Sequence, residues 1–407
     1  MIKDILKHDF SKKVISLFSG SIISNIISLG AFFVIAKLYN IDILGQYYMY
    51  MSIILIFGEL SSLGYLSSIQ VLNDEELKKM YNSIFLLAIC ILVLIFPFLY
   101  YYSQFALYII ITVILTLYYM LAEKIFIRNM ETKKLNTIRI GRVTINAIFI
   151  IVSFFIFGGD DINYIIIMNI LSIIFIDLYI FLFYFKKDNL IDINLNYLRI
   201  LVEQKEFPKY VGPGLICHTI AYQIPILVAG TFFSPTIAAQ YNMAYKLVYT
   251  PGILISSSIS NVFQGRLSKL FRANKDIFQG FNKFVYILFI VAIVFIFSII
   301  FILPYFVEYF FDIKWSGSID ISMALLPLIF SLMAISPLLG VLKFTNNLKY
   351  GFRLQFASLL IAIISFSISV MLNDFLLGVI IFASLMLIAH IKMGFKLFEI
   401  KRKANAK

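Results

Sequence analysis

The sequence predicts an all-α integral membrane protein with twelve transmembrane helices, and three observations carry that prediction. Hydrophobic residues make up 61% of the chain and charged residues 14%, against roughly 45–50% and about 25% in an ordinary soluble domain. Twelve apolar runs approach or exceed the ~20 residues that a helix needs to cross the hydrocarbon core. The connections between those runs alternate between strongly basic and almost uncharged, as they do only when the number of crossings is right.

The runs are residues 14–36, 46–71, 82–102, 105–122, 143–158, 163–185, 210–233, 237–262, 284–310, 319–342, 354–373 and 375–397. The fifth is the shortest and extends back through Ile138 if its polar start is counted. On alternate connections, starting with the N-terminal arm, one side holds 31 of the 34 Lys and Arg residues, and the other holds only Lys37 and Lys314. The last, Lys246, lies inside a run. By the positive-inside rule this places both termini in the cytoplasm. The net charge of +12 is therefore a topology signal and implies no nucleic-acid partner. A secondary role is to hold anionic lipid headgroups at the cytoplasmic face. The short basic arm before the first run is followed directly by further spans, unlike a cleavable signal.

Taken in order, the first span carries a polar line of Ser21, Ser24, Asn25 and Ser28 and ends near Lys37. That line either packs helices through small residues or lines a cavity. The second span holds Glu59 at its middle and the sixth holds Asp177. A carboxylate at that depth is either a structural ion pair or a titrating group coupled to transport. Cys90 and Cys217 lie in separate spans, as small core residues rather than a disulfide or metal pair. The connection after span four carries Glu123, Lys124, Arg128, Lys133, Lys134, Arg139 and Arg142; it either fixes topology or captures headgroups. The longest polar stretch, Lys186 to Lys205, links two halves, residues 1–200 and 201–407. Its amphipathic piece at Leu195–Val202 is suited to the membrane surface.

The halves repeat. Tyr39-Asn-Ile-Asp-Ile-Leu-Gly-Gln46-Tyr47 and Phe233-Ser-Pro-Thr-Ile-Ala-Ala-Gln240-Tyr241 match at an offset of 194 residues, and each joins the first span of six to the second. In span seven, Gln223 and Pro225 suggest a local break, and Pro251-Gly252 another in span eight; the alternative for either is a simple packing kink. Lys246 lies seven residues beyond Ala239, so about 10 Å into the membrane. A lipid-facing Lys at the bilayer centre costs about 2.5–3.5 kcal/mol. Either its stem snorkels outward, or it faces a cavity with Tyr249, Thr250, Ser256, Ser257 and Ser260, which share its helical stripe.

The residues Phe207-Pro208-Lys209-Tyr210, Pro213, Gln223-x-Pro225, Phe233, Gln240-Tyr241, Pro251 and Val262-Phe263-x-x-Arg266 resemble the start of the second half of the bacterial polysaccharide repeat-unit flippases (Wzx-type). Those flippases belong to the superfamily that also holds multidrug and toxin extruders. The basic connection after span four looks similar too, although Thr132 stands where that family often has an aromatic residue. The resemblance implies two six-helix lobes around a central cavity in the cytoplasmic (inner) membrane. It implies a flippase that moves undecaprenyl-pyrophosphate-linked oligosaccharide from the inner to the outer leaflet for O-antigen or lipopolysaccharide synthesis. A polysaccharide polymerase and a chain-length regulator would be its partners.

On that reading Lys246, Lys37, Gln223, Tyr249 and Asn25 bind substrate. Lys124, Arg128, Arg139 and Arg142 capture the headgroup, and Glu59 and Asp177 couple an ion. No cofactor, metal or catalytic residue is expected. No Gly precedes a Lys, so the chain has no phosphate-cradling loop, and the G-x-S-x-G and H-E-x-x-H patterns are missing. His8, His218 and His390 are expected to be structural. These absences favour a membrane transporter over an enzyme. The alternatives are an ion-coupled drug or toxin antiporter, whose cationic substrates favour a carboxylate-lined cavity, and a membrane polymerase, which the short outer loops disfavour.

Overall fold

A backbone that crosses lipid must satisfy its own hydrogen bonds, and this chain does so with helices throughout. The computed structural model describes residues 2–70, 72–185, 194–272, 276–345, 347 and 349–405. The long helices are α1 (Ile2–Leu38), α2 (Ile41–Ser62), α3 (Asp74–Tyr102), α4 (Ala106–Arg128), α5 (Thr132–Phe157) and α6 (Ile162–Ile180, then a π-helical turn). They continue with α7 (Gly212–Val228, between two π-helical turns) and α8 (Pro235–Ala244, joined through a π-helical turn to Thr250–Arg272). The last four are α9 (Phe281–Phe310), α10 (Gly317–Ala334), α11 (Lys349–Leu372) and α12 (Phe375–Asn405). Eleven of these runs are long and apolar enough to cross a membrane. The other, α8, has the same reach but is the most polar, because it carries Lys246, a serine run and a basic end.

Short polar residues start several helices where the sequence turns from loop to apolar run. The Oδ1 of Asn40 accepts from Asp42 N at 3.0 Å, Ser234 Oγ from Ile237 N at 3.2 Å, and Asp161 Oδ1 from Asn163 N at 2.8 Å. Asn73 and Glu76 form a reciprocal capping box at the start of α3.

The chain divides into two compact units, Met1–Thr219 and Ile220–Lys407, with the boundary inside α7. Within the first unit α2 packs on α4, α3 on α4, α4 on α6 and α5 on α6. The second unit repeats the scheme, with α8 on α10, α9 on α10, α10 on α12 and α11 on α12. The nonapeptide repeat in the sequence thus marks a repeat of helix pairing. The repeated tyrosines, Tyr47 and Tyr241, are both buried.

Three details depart from the sequence reading. The connection after span four shrinks to residues 129–131, because α4 runs on to Arg128 and α5 starts at Thr132. The amphipathic piece at Leu195–Val202 docks on protein instead of lying free on the surface. Ile200 is 3% exposed, and Tyr65 donates to the Leu201 carbonyl at 2.8 Å. The earlier part of that linker, 186–193, lies outside the described residues. Cys90 is exposed on the apolar outside rather than in the core, and Cys217 is half-buried; both are free thiols.

The start of α7 is set against the α2–α3 connection by two glycines. A Cβ on Gly64, whose φ is +81°, would lie 2.6 Å from Gly212 Cα, and one on Gly212 would strike the Leu63 carbonyl oxygen. Both obstacles are backbone, so neither can swing aside. Gly212→Ala should therefore lower stability by about 1–3 kcal/mol, and Gly64→Ala by at least as much because its φ is also strained. Gly30→Ala, which meets nothing within 4 Å, should not. Thermal unfolding of the three detergent-purified variants checks this. Equal midpoints for Gly212→Ala and Gly30→Ala would refute the backbone contact.

Candidate functional site

Each unit holds charged and polar side chains at membrane depth, and the two arrangements differ. In the second unit the polar centre lies on α8. Proline cannot donate a backbone hydrogen bond, and its ring crowds the carbonyl four residues back. Three π-helical turns end two residues before a proline, the second of them closing α7 where Ser234 is extended and Pro235 starts α8. Gly212 N reaches Phe207 O ahead of Pro213, Ser234 N reaches Ala229 O ahead of Pro235, and Thr250 N reaches Tyr245 O ahead of Pro251. The breaks expected at Gln223–Pro225 and Pro251–Gly252 are displaced accordingly. The helix runs through both prolines and widens elsewhere. Lys246 sits on the third of these turns.

The same turn begins and ends with a tyrosine. The rings of Tyr245 and Tyr249 stack with centroids 4.2 Å apart, and Tyr222 on α7 stands 5.6 Å from Tyr249. The Tyr249 hydroxyl interacts with the hydroxyls of both Tyr245 and Tyr222. Gln223, next to Tyr222, is half-buried, as is Lys246. Throughout its length α8 carries no acidic residue. The structure therefore brings Tyr249 to the Tyr222–Gln223 segment of α7, and Lys246 shares its π-helical turn with Tyr249. It does not keep the serines on their stripe. Ser256 is buried and donates to the Leu332 carbonyl of α10 at 2.9 Å, whereas Ser257 is exposed and bonds its own helix. The π turn shifts the register, so the spacing that a uniform helix implies no longer holds.

In the first unit the early start of α5 draws Arg139 and Arg142 into the helix, about 10 and 15 Å from its first residue. With Asn146 they share one face, at spacings of three and four. Thr112, Thr116, Tyr119 and Glu123 share one face of α4 in the same way. Arg139 bonds Glu123 through two nitrogens, at 2.5 and 2.6 Å, and donates to Ser21 Oγ of α1 at 2.9 Å. The Arg142 guanidinium stacks 4.1 Å over the Tyr119 ring. Tyr50 bonds Thr112 at 2.6 Å, and Asn169 donates to Tyr47 at 3.1 Å. Sequence reasoning missed this interior because a span begun at residue 143 cut the 139–142–146 pattern in two.

The carboxylates of the two central positions differ from a simple ion pair. Asp177 is 7% exposed, and neither of its oxygens has a hydrogen-bond partner among the described residues. Arg142 is the cation whose charge acts on it, and Tyr81 and Tyr118 stand close enough to feel it. Glu59 is half-buried, and the cation acting on it is Lys124 of α4. Of the remaining candidates, Arg128 is bonded to Asp74 at 2.8 Å and to the Leu72 carbonyl at 2.7 Å, fixing the start of α3. Asn25 donates to the Ser21 carbonyl of its own helix, and Lys37 is exposed at the last turn of α1. His390 is buried between Met386 O at 2.8 Å and Ser331 Oγ at 3.2 Å. The first unit thus offers cations and carboxylates in near balance, with one carboxylate left without a bond. The second carries Lys246 on a helix whose own sequence holds no acidic residue.

Residues 72–320 match the model of a family described as polysaccharide biosynthesis protein. No curated protein matches the sequence. Among solved structures, the lipid II flippase MurJ in an inward closed conformation is similar at TM-score 0.69 and 15% identity, over 96% of this chain and 89% of that one. An inward-facing multidrug-resistance MATE transporter of the MOP superfamily is similar at TM-score 0.66 and 12% identity, over 93% and 95%. A MOP-superfamily transporter from Pyrococcus furiosus, described as having a binding pocket of reverse polarity, is similar at 0.57 and 14%, over 95% of each chain. At such identities the likeness is one of fold.

Proposed function

The chain belongs to the polysaccharide biosynthesis protein family and has the fold of membrane transporters rather than of an enzyme. From that premise we propose that it is a flippase for undecaprenyl-pyrophosphate-linked oligosaccharide, working in the cytoplasmic membrane with both termini inside. The observation that carries the proposal is Lys246, at membrane depth on a π-helical turn that also carries Tyr245 and Tyr249, in a helix whose own sequence holds no acidic residue. An anionic pyrophosphate suits the ammonium group, and a sugar suits the hydroxyls and amides. MurJ, which shares the fold, is itself a lipid II flippase. A drug antiporter would need a carboxylate where α8 carries only a cation.

Two negative charges leaving an inside-negative cell gain about 2.3 kcal/mol each per 100 mV if they cross the whole field, so the membrane potential favours export. Asp177 and Glu59 add a coupling site in the first unit, where protonation relieves a buried carboxylate and release restores it. Arg139 and Arg142 offer a contact for the headgroup in the first unit.

Three outcomes test these assignments. A charge-assisted contact to phosphate is worth about 1.5–3 kcal/mol, so Lys246→Ala should weaken substrate affinity by roughly one to two decades. Lys246→Arg should keep much of it and Lys246→Glu should be worst. The measurement is restoration of surface polysaccharide in a strain lacking the gene, with membrane levels of each variant determined. Full restoration by Lys246→Ala and Lys246→Glu would place the anion site elsewhere. Asp177→Asn or Glu59→Gln should flatten the pH dependence of transport in vesicles; an unchanged profile in both removes the coupling assignment. Single cysteines at Asp160, Ser234 and Asn373, in a background without Cys90 and Cys217, should react with an impermeant thiol reagent from outside. Those at Lys133 and Lys205 should not, and labelling of Lys133→Cys in intact cells would invert the orientation.

A further inference from the structure

At one end of α11 and α12 three cations converge on a single ring. The Nζ of Lys349 lies 5.6 Å from the Tyr350 centroid, the guanidinium carbon of Arg353 5.6 Å and the Nζ of Lys396 5.2 Å. Like charges gathered this closely repel unless an anion shares them. Among the described residues only Lys396 of the three is in an ion pair, with Glu399 at 2.7 Å, and Lys403 takes the other oxygen of that carboxylate at 2.9 Å. The first turn of α11 holds no acidic residue, and its backbone N–H groups add positive potential at the same place. Cation–π contact with one ring is too weak at an exposed site to gather three cations.

A second observation lies on the neighbouring face of α11. Phe352, Phe356, Leu360 and Ile363 follow one another at helical spacing and are 42%, 47%, 45% and 47% exposed. They form an apolar stripe that starts beside Lys349 and Arg353 and runs away from them along the helix. A cationic pocket at the head of an apolar stripe matches an amphiphile with an anionic head. Tyr350 itself is fixed, because it packs against the core that contains Leu397 and Met393 of α12. The pocket is thus held by the packing of two helices and not by loose side chains.

We propose that Lys349, Arg353 and Lys396, gathered round Tyr350, bind the headgroup phosphate of an anionic glycerophospholipid whose acyl chains lie along Phe352, Phe356 and Leu360. This site is separate from Lys246 and does not depend on what the protein transports. It gives the second unit a fixed lipid that ties α11 to α12 at the headgroup level.

The test is lipid retention by the full chain, purified into nanodiscs and read by native mass spectrometry. Discs hold phosphatidylglycerol and phosphatidylcholine in equal amounts. The wild type should retain phosphatidylglycerol preferentially, and Lys349→Gln/Arg353→Gln/Lys396→Gln should reduce that preference by about tenfold or more, since each cation near anionic headgroups contributes roughly fivefold. Lys349→Arg/Arg353→Lys/Lys396→Arg should keep it. Lys79→Gln/Lys205→Gln, which removes two exposed cations from the first unit, should leave it unchanged and so separates a site from a general surface attraction. If the triple Gln variant does not fold, Arg353→Gln alone should still lower the preference several-fold. Glycerol 3-phosphate added in excess should not displace the lipid; displacement would mean a free phosphate site and overturn the assignment. Equal retention by the wild type and the folded Gln variants overturns it as well.

Discussion

Everything in this molecule depends on satisfying backbone hydrogen bonds where no water is available to do it. An unpaired N–H or C=O in hydrocarbon costs several kcal/mol, so each crossing must be helical, and each proline inside a crossing must be accommodated without orphaning its neighbours. At Pro213 and Pro251 that accommodation is a π-helical turn just before the proline. Each keeps the helix continuous through a wider turn and rotates the residues beyond it about the helix axis. At Tyr245–Tyr249 the widened turn carries Lys246 and shifts it out of register with the serines further along.

The same scarcity of water governs the charges. A buried ionised group needs a partner or a bound ion, and the two units meet that need differently. In the first, Arg139 takes Glu123 and Ser21, and Arg142 takes the face of Tyr119. Helices α1, α4 and α5 are thereby joined through side chains that a sequence-only count would give to a loop. Asp177 is the exception, buried and without a hydrogen bond among the described residues. In the second unit a cation lies on a helix that supplies no acid.

Close backbone contact supplies the third organising element. Gly64 and Gly212 let the α2–α3 connection touch the start of α7, while Tyr65 holds the segment just before it through the Leu201 carbonyl. The linker that leads to the second half of the chain is therefore fixed to the first unit at its end. Glu59 lies one turn before this connection on α2, so a change in its charge acts close to the point where α7 begins.

By itself the sequence determined the class, the twelve crossings, the repeat and the family resemblance, because each rests on properties that accumulate along the chain. Hydropathy sums over twenty residues, charge sums over loops, and Gln46-Tyr47 and Gln240-Tyr241 recur at one offset. Lys246 stood out because a lone cation in an apolar run has a high cost wherever the neighbours lie. What only the tertiary structure decided is which side chains meet. The spacing of Arg139, Arg142 and Asn146 was present in the sequence, yet their partners on α1 and α4 are distant along the chain, and the polar start of α5 looked like a loop until those partners were in place. The displacement of the helix breaks from Pro225 and Pro251 to the π turns was likewise beyond reach. A periodicity argument assumes a uniform rise and rotation per residue, and one wide turn changes the rotation of every residue after it.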